Sequence, residues 1–127
     1  MSAVRLTVIP NRPPGVLALA DAAALVLFSV VGLLSHDGAV SASGLARDAL
    51  PLLAGWFAAA LVFRTYRRRS VRALLLAWIV GVPLGVALRA VVLGRALEGR
   101  EAAFLAVALT FTLLFVVGLR AAVSLRA

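Results

Sequence analysis

Residues 64–93 read RTYRRRSVRALLLAWIVGVPLGVALRAVVL, and this stretch decides the fold. Five arginines fall within its first nine residues, and the 21 residues that follow contain a single charge, Arg89. An apolar run of this length matches the ~20 residues that a helix needs to cross a bilayer. The stretch therefore predicts a transmembrane helix that begins directly after a basic loop.

Three further apolar runs of similar length accompany it. They are continuously apolar, whereas the strands of a membrane β-barrel would alternate apolar and polar residues, so we expect helices. The connections are too short to hold a soluble domain, which makes neighbouring helices antiparallel. The predicted fold is all-α, a four-helix transmembrane bundle over residues 16–127 behind a cytoplasmic tail over residues 1–15. The predicted helices cover about residues 16–34, 45–63, 73–93 and 102–119.

The composition excludes an ordinary soluble domain. Of the 127 residues, 64% are hydrophobic and 14% are charged, whereas soluble domains are roughly 45–50% apolar and about 25% charged. The mean hydropathy is +1.09. The chain has no cysteine, which excludes a disulfide framework, a thiolate zinc site and a cysteine nucleophile.

The distribution of arginine predicts the orientation in the membrane. All 13 basic residues are Arg, and short cytoplasmic loops carry an excess of positive charge. With the amino terminus inside, three or four arginines lie outside and nine lie inside. Both termini are therefore expected in the cytoplasm. The inner nine are Arg5, Arg12, Arg64, Arg67, Arg68, Arg69, Arg72, Arg120 and Arg126.

The first span precedes a segment of small residues and superficially resembles a signal peptide. Its apolar run covers residues 16–34 and is 19 residues long. The apolar core of a signal peptide is shorter, about 7–15 residues. Further spans follow it, so we expect it to be retained as a helix.

The basic loop is expected to set the topology, and this role alone is enough to explain its charge. An alternative is that it binds anionic lipid or an acidic partner, to which each positive charge would contribute ~1 kcal/mol of attraction. A net charge of +8 would suggest nucleic acid in a soluble protein. Here the arginines flank apolar spans, so the lipid bilayer is the expected partner and nucleic acid is not. The loop residues are Arg64, Arg67, Arg68, Arg69 and Arg72.

Asp21 is the most informative polar residue, because it lies inside the cytoplasmic third of the first span. An ionised side chain at the centre of a membrane helix costs ~2.5–3.5 kcal/mol unless it is paired or hydrated. Asp21 is therefore expected to face the bundle. It is interpreted either as a structural ion pair or as a proton or cation site. The candidate partners for an ion pair are Arg64, Arg72 and Arg120.

Arg89 continues a ridge of small residues on the third helix. Ala77, Gly81 and Gly85 precede it at every fourth position, a pattern that allows two helix backbones to approach closely. Gly55 belongs to a weaker ridge on the second helix. Arg89 is therefore expected to point towards a neighbouring helix near the outer surface.

Asp48, near the outer start of the second helix, matches Arg89 in depth and is its expected partner. Asp37 and Glu98 are alternatives, and an anionic ligand is another. Ser43 is the expected N-cap of this second helix.

Three aromatic side chains carry polar groups that need an explanation. Trp56 and Trp78 lie well inside their spans, so each indole N–H requires a local acceptor. Tyr66 lies in the basic loop, where we expect it at the inner headgroups.

The sequence contains no recognisable catalytic arrangement. His36 is the only histidine, and together with Asp37 it offers fewer ligands than the three or four that zinc requires. A glycine-rich phosphate loop, paired carboxylates at catalytic spacing and a nucleophile–base pair are all lacking. We therefore expect no catalytic residue, no cofactor and no metal ion, and we expect that the protein is not an enzyme.

The order of short motifs resembles a known family. Ala20-Asp21-Ala22 is followed by Gly32-Leu33-Leu34-Ser35-His36, then by Leu50-Pro51 and Gly55-Trp56, and finally by Arg89 ahead of Gly94. This order resembles a family of small bacterial and archaeal membrane proteins catalogued only as a domain of unknown function. The resemblance covers nearly the whole chain and implies a four-helix membrane domain, but no activity, substrate or cofactor.

Two functional hypotheses remain open besides the enzyme. The first is a non-enzymatic accessory or packing component that contacts a second copy or a membrane partner through its small-residue ridge. The second is a small oligomeric transporter or channel with Asp21 as its proton or cation site. The chain is similar to the small multidrug exporters in size and layout, but it lacks the pattern that flanks their carboxylate.

Overall fold

Long apolar segments bounded by capping residues form the helices of this chain. The computed structural model describes residues 13–68, 70–94 and 99–125. Within them the chain is helical and has no strand. The helices are α1 (Pro14–Asp37), α2 (Ala42–Phe63), α3 (Thr65–Arg68), α4 (Val71–Val92) and α5 (Gly99–Leu125). Four of them, all but α3, are long and apolar enough to cross a membrane.

Local chemistry sets the helix ends. Pro14 is the first residue of α1, a position at which proline sacrifices no helical hydrogen bond. Gly38 ends α1 with a left-handed φ of 74°. Ser41, and not Ser43 as the sequence suggested, caps α2: its backbone is extended, and its hydroxyl accepts a hydrogen bond from the Gly44 amide at 3.0 Å. The second helix therefore begins three residues before the predicted residue 45.

A sharp break separates α2 from α3. Arg64 adopts a left-handed conformation with φ 54° and ψ 43°, and its amide donates to carbonyls of the last turn of α2. The four-residue helix α3 follows at once, and Ser70 then caps α4 by accepting a hydrogen bond from the Ala73 amide at 3.0 Å. After this break, the side chains of Thr65 and Tyr66 in α3 face the bundle.

The closest helix pair in the bundle is α2 with α4. The backbone of Gly55 lies against Gly81 and Gly85, Gly81 lies against Trp56, and Gly85 lies against Leu52. Contacts that move forward along α2 move backward along α4, so the two helices are antiparallel. The ridge that the sequence predicted on the third helix is thus used inside the chain.

The remaining helices complete the core around this pair. Side chains from α1 and α5 join those of α2 and α4 in one buried cluster. Trp78 of α4 donates its indole N–H to the Leu109 carbonyl of α5 at 2.9 Å, which supplies the acceptor that its depth requires. Buried members from all four long helices include Leu25, Leu52, Trp56, Leu74, Val82 and Val116.

The glycine contact generates the first prediction. A Cβ at Gly55 would collide with the Gly85 amide nitrogen and would lie 2.6 Å from the Gly81 carbonyl oxygen. Since both atoms are backbone, α2 and α4 must separate. We expect G55A to lower the free energy of unfolding by about 1–3 kcal/mol, measured by thermal unfolding in mild detergent.

Gly32 provides the matched control, because a Cβ there meets nothing within 4 Å. Alanine is favoured over glycine in a helix by roughly 0.5–1 kcal/mol, so G32A is expected to be neutral or stabilising. Equal losses in both variants would contradict the proposed role of the close contact.

Candidate functional site

Asp21 and Arg120 form a buried ion pair between the first and the last helix. Arg120 Nε donates to Asp21 Oδ1 at 2.8 Å, and Arg120 Nη2 donates to Asp21 Oδ2 at 2.6 Å. The two parallel bonds match the planar guanidinium to the carboxylate. The residues are 0% and 1% exposed, so neither charge reaches solvent.

Tyr66 extends this pair into a four-residue network. Its hydroxyl donates to Asp21 Oδ2 at 2.6 Å and accepts from the indole nitrogen of Trp56 at 3.0 Å. The hydroxyl therefore uses both its donor and an acceptor position. The network joins α1, α2, α3 and α5 at one end of the bundle.

Burial stabilises the neutral form of Tyr66. Loss of hydration raises the pKa of this phenol well above its ordinary value, and the charge of Asp21 and the hydrogen bond to it raise the pKa further. A phenol with its ordinary pKa is already neutral at physiological pH, so the shift extends the range in which Tyr66 donates to the carboxylate into alkaline solution. This role was missed from the sequence, which placed Tyr66 at the headgroups.

Arg89 and Asp48 form the second ion pair, between α4 and α2. Arg89 Nε donates to Asp48 Oδ1 at 3.0 Å, and Arg47 Nε contacts the same oxygen at 3.2 Å. The Arg89 guanidinium carbon also lies 4.3 Å from the centre of the Phe104 ring of α5, a cation–π geometry. Arg89 is 9% exposed.

The two ion pairs lie at opposite ends of the bundle. Asp21 is near the start of α1, and its partner is near the end of α5. Asp48 is near the start of α2, and its partner is near the end of α4. Each end therefore has one carboxylate held by a guanidinium from another helix, and together the pairs connect all four long helices.

The other predicted residues are placed as follows. Gly55, Gly81 and Gly85 come together at the contact between α2 and α4. Arg64, Arg67 and Arg72 are exposed at the end of the bundle that carries the Asp21 network. Among the described residues, no group of three His, Cys, Asp or Glu could hold a metal ion. The side chains of His36, Asp37 and Arg68, together with Arg69 and Glu98, lie outside the described residues.

The Asp21–Arg120 pair has the geometry of an interaction that holds two helices together. A buried pair has already lost its hydration, and its mutual attraction with hydrogen bonds offsets this cost only while both partners are present. Removal of one partner leaves an uncompensated charge, whereas replacement of both by apolar groups is often neutral. The two cases are experimentally distinguishable.

For this reason we expect D21N to destabilise the protein by about 3–5 kcal/mol, because Arg120 then keeps a buried charge that lacks its carboxylate. The double variant D21L/R120M is expected to recover most of this loss. Thermal unfolding in mild detergent measures both. A fully stable D21N protein would show that the pair does not hold α1 and α5 together.

Of three comparisons with known proteins, one found a match, to a protein family. No curated protein and no solved structure matches the chain. A family model described as "Protein of unknown function (DUF3054)" matches residues 18–123, from the first turns of α1 to the last turn of α5. The match confirms the resemblance that the motifs indicated. The chain belongs to this family of unknown function.

Proposed function

We propose that this chain is a multi-pass protein of the bacterial or archaeal plasma membrane that has no catalytic activity and acts as an accessory or packing component. It forms an antiparallel up-down bundle, with both termini in the cytoplasm. The observation that carries the proposal is the complete burial of Asp21 against Arg120. In this proposal the carboxylate of Asp21, which lies inside the span, serves to hold helices together.

The outer surface of the bundle supports the membrane location. Large aliphatic side chains are strongly exposed around it: Leu61 is 80% exposed, Val91 75%, Val62 74% and Leu19 72%. Each of these residues lies in a helix that is long and apolar enough to cross a membrane. Acyl chains solvate such a surface without cost.

The exposed arginines support the orientation. Arg64, Arg67 and Arg72 lie at one end of the bundle, which is the end expected to remain in the cytoplasm under the positive-inside rule. Buried arginines do not weaken this argument, because Arg89 and Arg120 are each paired with a carboxylate.

A reporter that is active only outside the cytoplasm, fused to the carboxyl terminus, tests the orientation. We expect no activity from the wild-type fusion. Replacing Arg64, Arg67, Arg68, Arg69 and Arg72 by Gln leaves four inner charges against three or four outer ones. That variant is expected to give partial activity, because the bias that sets the topology is lost.

Neutralising the outer arginines serves as the control for this experiment. R47Q, R95Q and R100Q together increase the bias, so this fusion should stay inactive. An active wild-type fusion would overturn the proposed orientation.

The environment of Asp21 favours the accessory component over the transporter. A coupling carboxylate has to exchange protons or cations with water, whereas Asp21 is 0% exposed and accepts hydrogen bonds from Arg120 and Tyr66. The neighbouring guanidinium also competes with any cation for the carboxylate. The small-residue ridge of α4 is occupied by α2, so a partner would pack elsewhere on the bundle.

Proteoliposomes loaded with a pH-sensitive dye separate the two functions. We expect wild-type protein to pass protons no faster than liposomes without protein. Flux that the double variant D21L/R120M abolishes while it stays folded, and that D48N leaves intact, would establish the transporter instead. Cross-linking in native membranes is expected to trap a second copy or a partner, and a yield of monomers alone would contradict a packing role.

A further inference from the structure

A small groove opens where α2 ends and α4 begins. It encloses about 240 Å³, less than the ~300–1,000 Å³ of pockets that hold whole small molecules. Its lining combines apolar side chains with the polar Ser70 and the charged Arg72, and it lies beside the basic loop. Its lining residues are Val62, Phe63, Ser70, Arg72, Ala73 and Leu76.

Arg72 is the charged group of this groove. Arg72 is exposed, and within residues 13–68, 70–94 and 99–125 its side chain forms no ion pair or hydrogen bond. Arg89 and Arg120, by contrast, each hold a carboxylate. Arg72 therefore offers its donors to an anion from outside the chain, in the forked geometry that suits phosphate.

The start of α4 adds to the positive potential at the same place. Ser70 caps this 22-residue helix, whose first turn carries the positive end of the helix dipole. Exposed Arg64 and Arg67 lie in the same loop. The potential attracts anions in general, whereas the groove beside Arg72 gives one of them a defined place.

The apolar lining residues of the groove distinguish a lipid from a free anion. Phe63 and Leu76 belong to the candidate membrane spans of α2 and α4, so the groove would extend from the headgroup level towards the acyl chains. A free phosphate would use only the polar lining groups, Ser70 and Arg72. A phospholipid presents a phosphate and an acyl chain in the order that the groove requires.

We propose that this groove binds one anionic phospholipid, with its phosphate on Arg72 and the start of one acyl chain along Phe63 and Leu76. The proposal rests on the membrane location in the proposed function. It goes beyond general attraction of the basic loop to the bilayer, because it assigns one lipid to one arginine.

Native mass spectrometry of the detergent-purified protein tests this site, with phosphatidylglycerol and phosphatidylcholine as probes. We expect one retained phosphatidylglycerol and no comparable retention of phosphatidylcholine. R72Q is expected to weaken this binding about fivefold, which corresponds to the ~1 kcal/mol of one interfacial arginine. R72K, which keeps the charge, should lose less.

R67Q is the matched control. Arg67 is an exposed arginine of the same loop, and it is not among the residues that line the groove. We expect R67Q to bind phosphatidylglycerol within twofold of wild type. Equal weakening in R67Q and R72Q would overturn the groove in favour of diffuse attraction.

Two further outcomes would also overturn the proposal. Equal retention of the two lipids would show that the headgroup charge is not recognised. Displacement of phosphatidylglycerol by millimolar inorganic phosphate would indicate a site for the free anion. The measurement does not depend on orientation in a membrane, so a failed topology experiment and a failed lipid experiment remain distinguishable.

Discussion

A carboxylate buried among apolar helices must find a cation, and this constraint organises the bundle. Asp21 and Arg120 are 99 residues apart in the chain and belong to its first and last helices. Their two parallel hydrogen bonds fix both the rotation and the axial position of α1 against α5, because a guanidinium fork tolerates little displacement. Tyr66 then adds α3 to the same carboxylate. One buried charge therefore determines the relative placement of elements that the chain order leaves far apart.

Close backbone packing holds the other helix pair, α2 and α4. These two helices need no charged contact at their centre, because Gly55, Gly81 and Gly85 let the two backbones touch. In lipid, where apolar side chains gain little by leaving the acyl phase, close backbone packing and polar contacts are the available sources of helix association. The structure uses polar contacts at the ends and glycine contact in the middle. The Asp48–Arg89 bond secures the far end of the same pair.

Hydropathy predicted four spans, because the length of an apolar run can be read directly from the sequence. Asp48 was predicted as the partner of Arg89, because the two residues were expected at the same depth in the membrane. The partner of Asp21 could not be singled out, since Arg64, Arg72 and Arg120 share one depth and sequence spacing carries no information on the angle between helices. Tyr66 was missed for a related reason. Its inward direction depends on the left-handed backbone of Arg64. Arginine rarely adopts this conformation, and nothing in the arginine-rich sequence around it indicates a break there. The predicted cap of α2, Ser43, lies two residues beyond the actual cap, Ser41, because several serines of this loop are compatible with capping.

Arginine thus has two separate roles in one small protein, and burial separates them. Arg89 and Arg120 lie inside and are paired with Asp48 and Asp21, so their charges are cancelled where the dielectric constant is low. Arg72 lies outside, beside a groove that continues into the apolar spans. Because internal pairing uses the buried carboxylate of Asp21 and the half-buried carboxylate of Asp48, the charge that remains for an external ligand is positive. The binding of an anionic phospholipid that we propose therefore belongs to that surface.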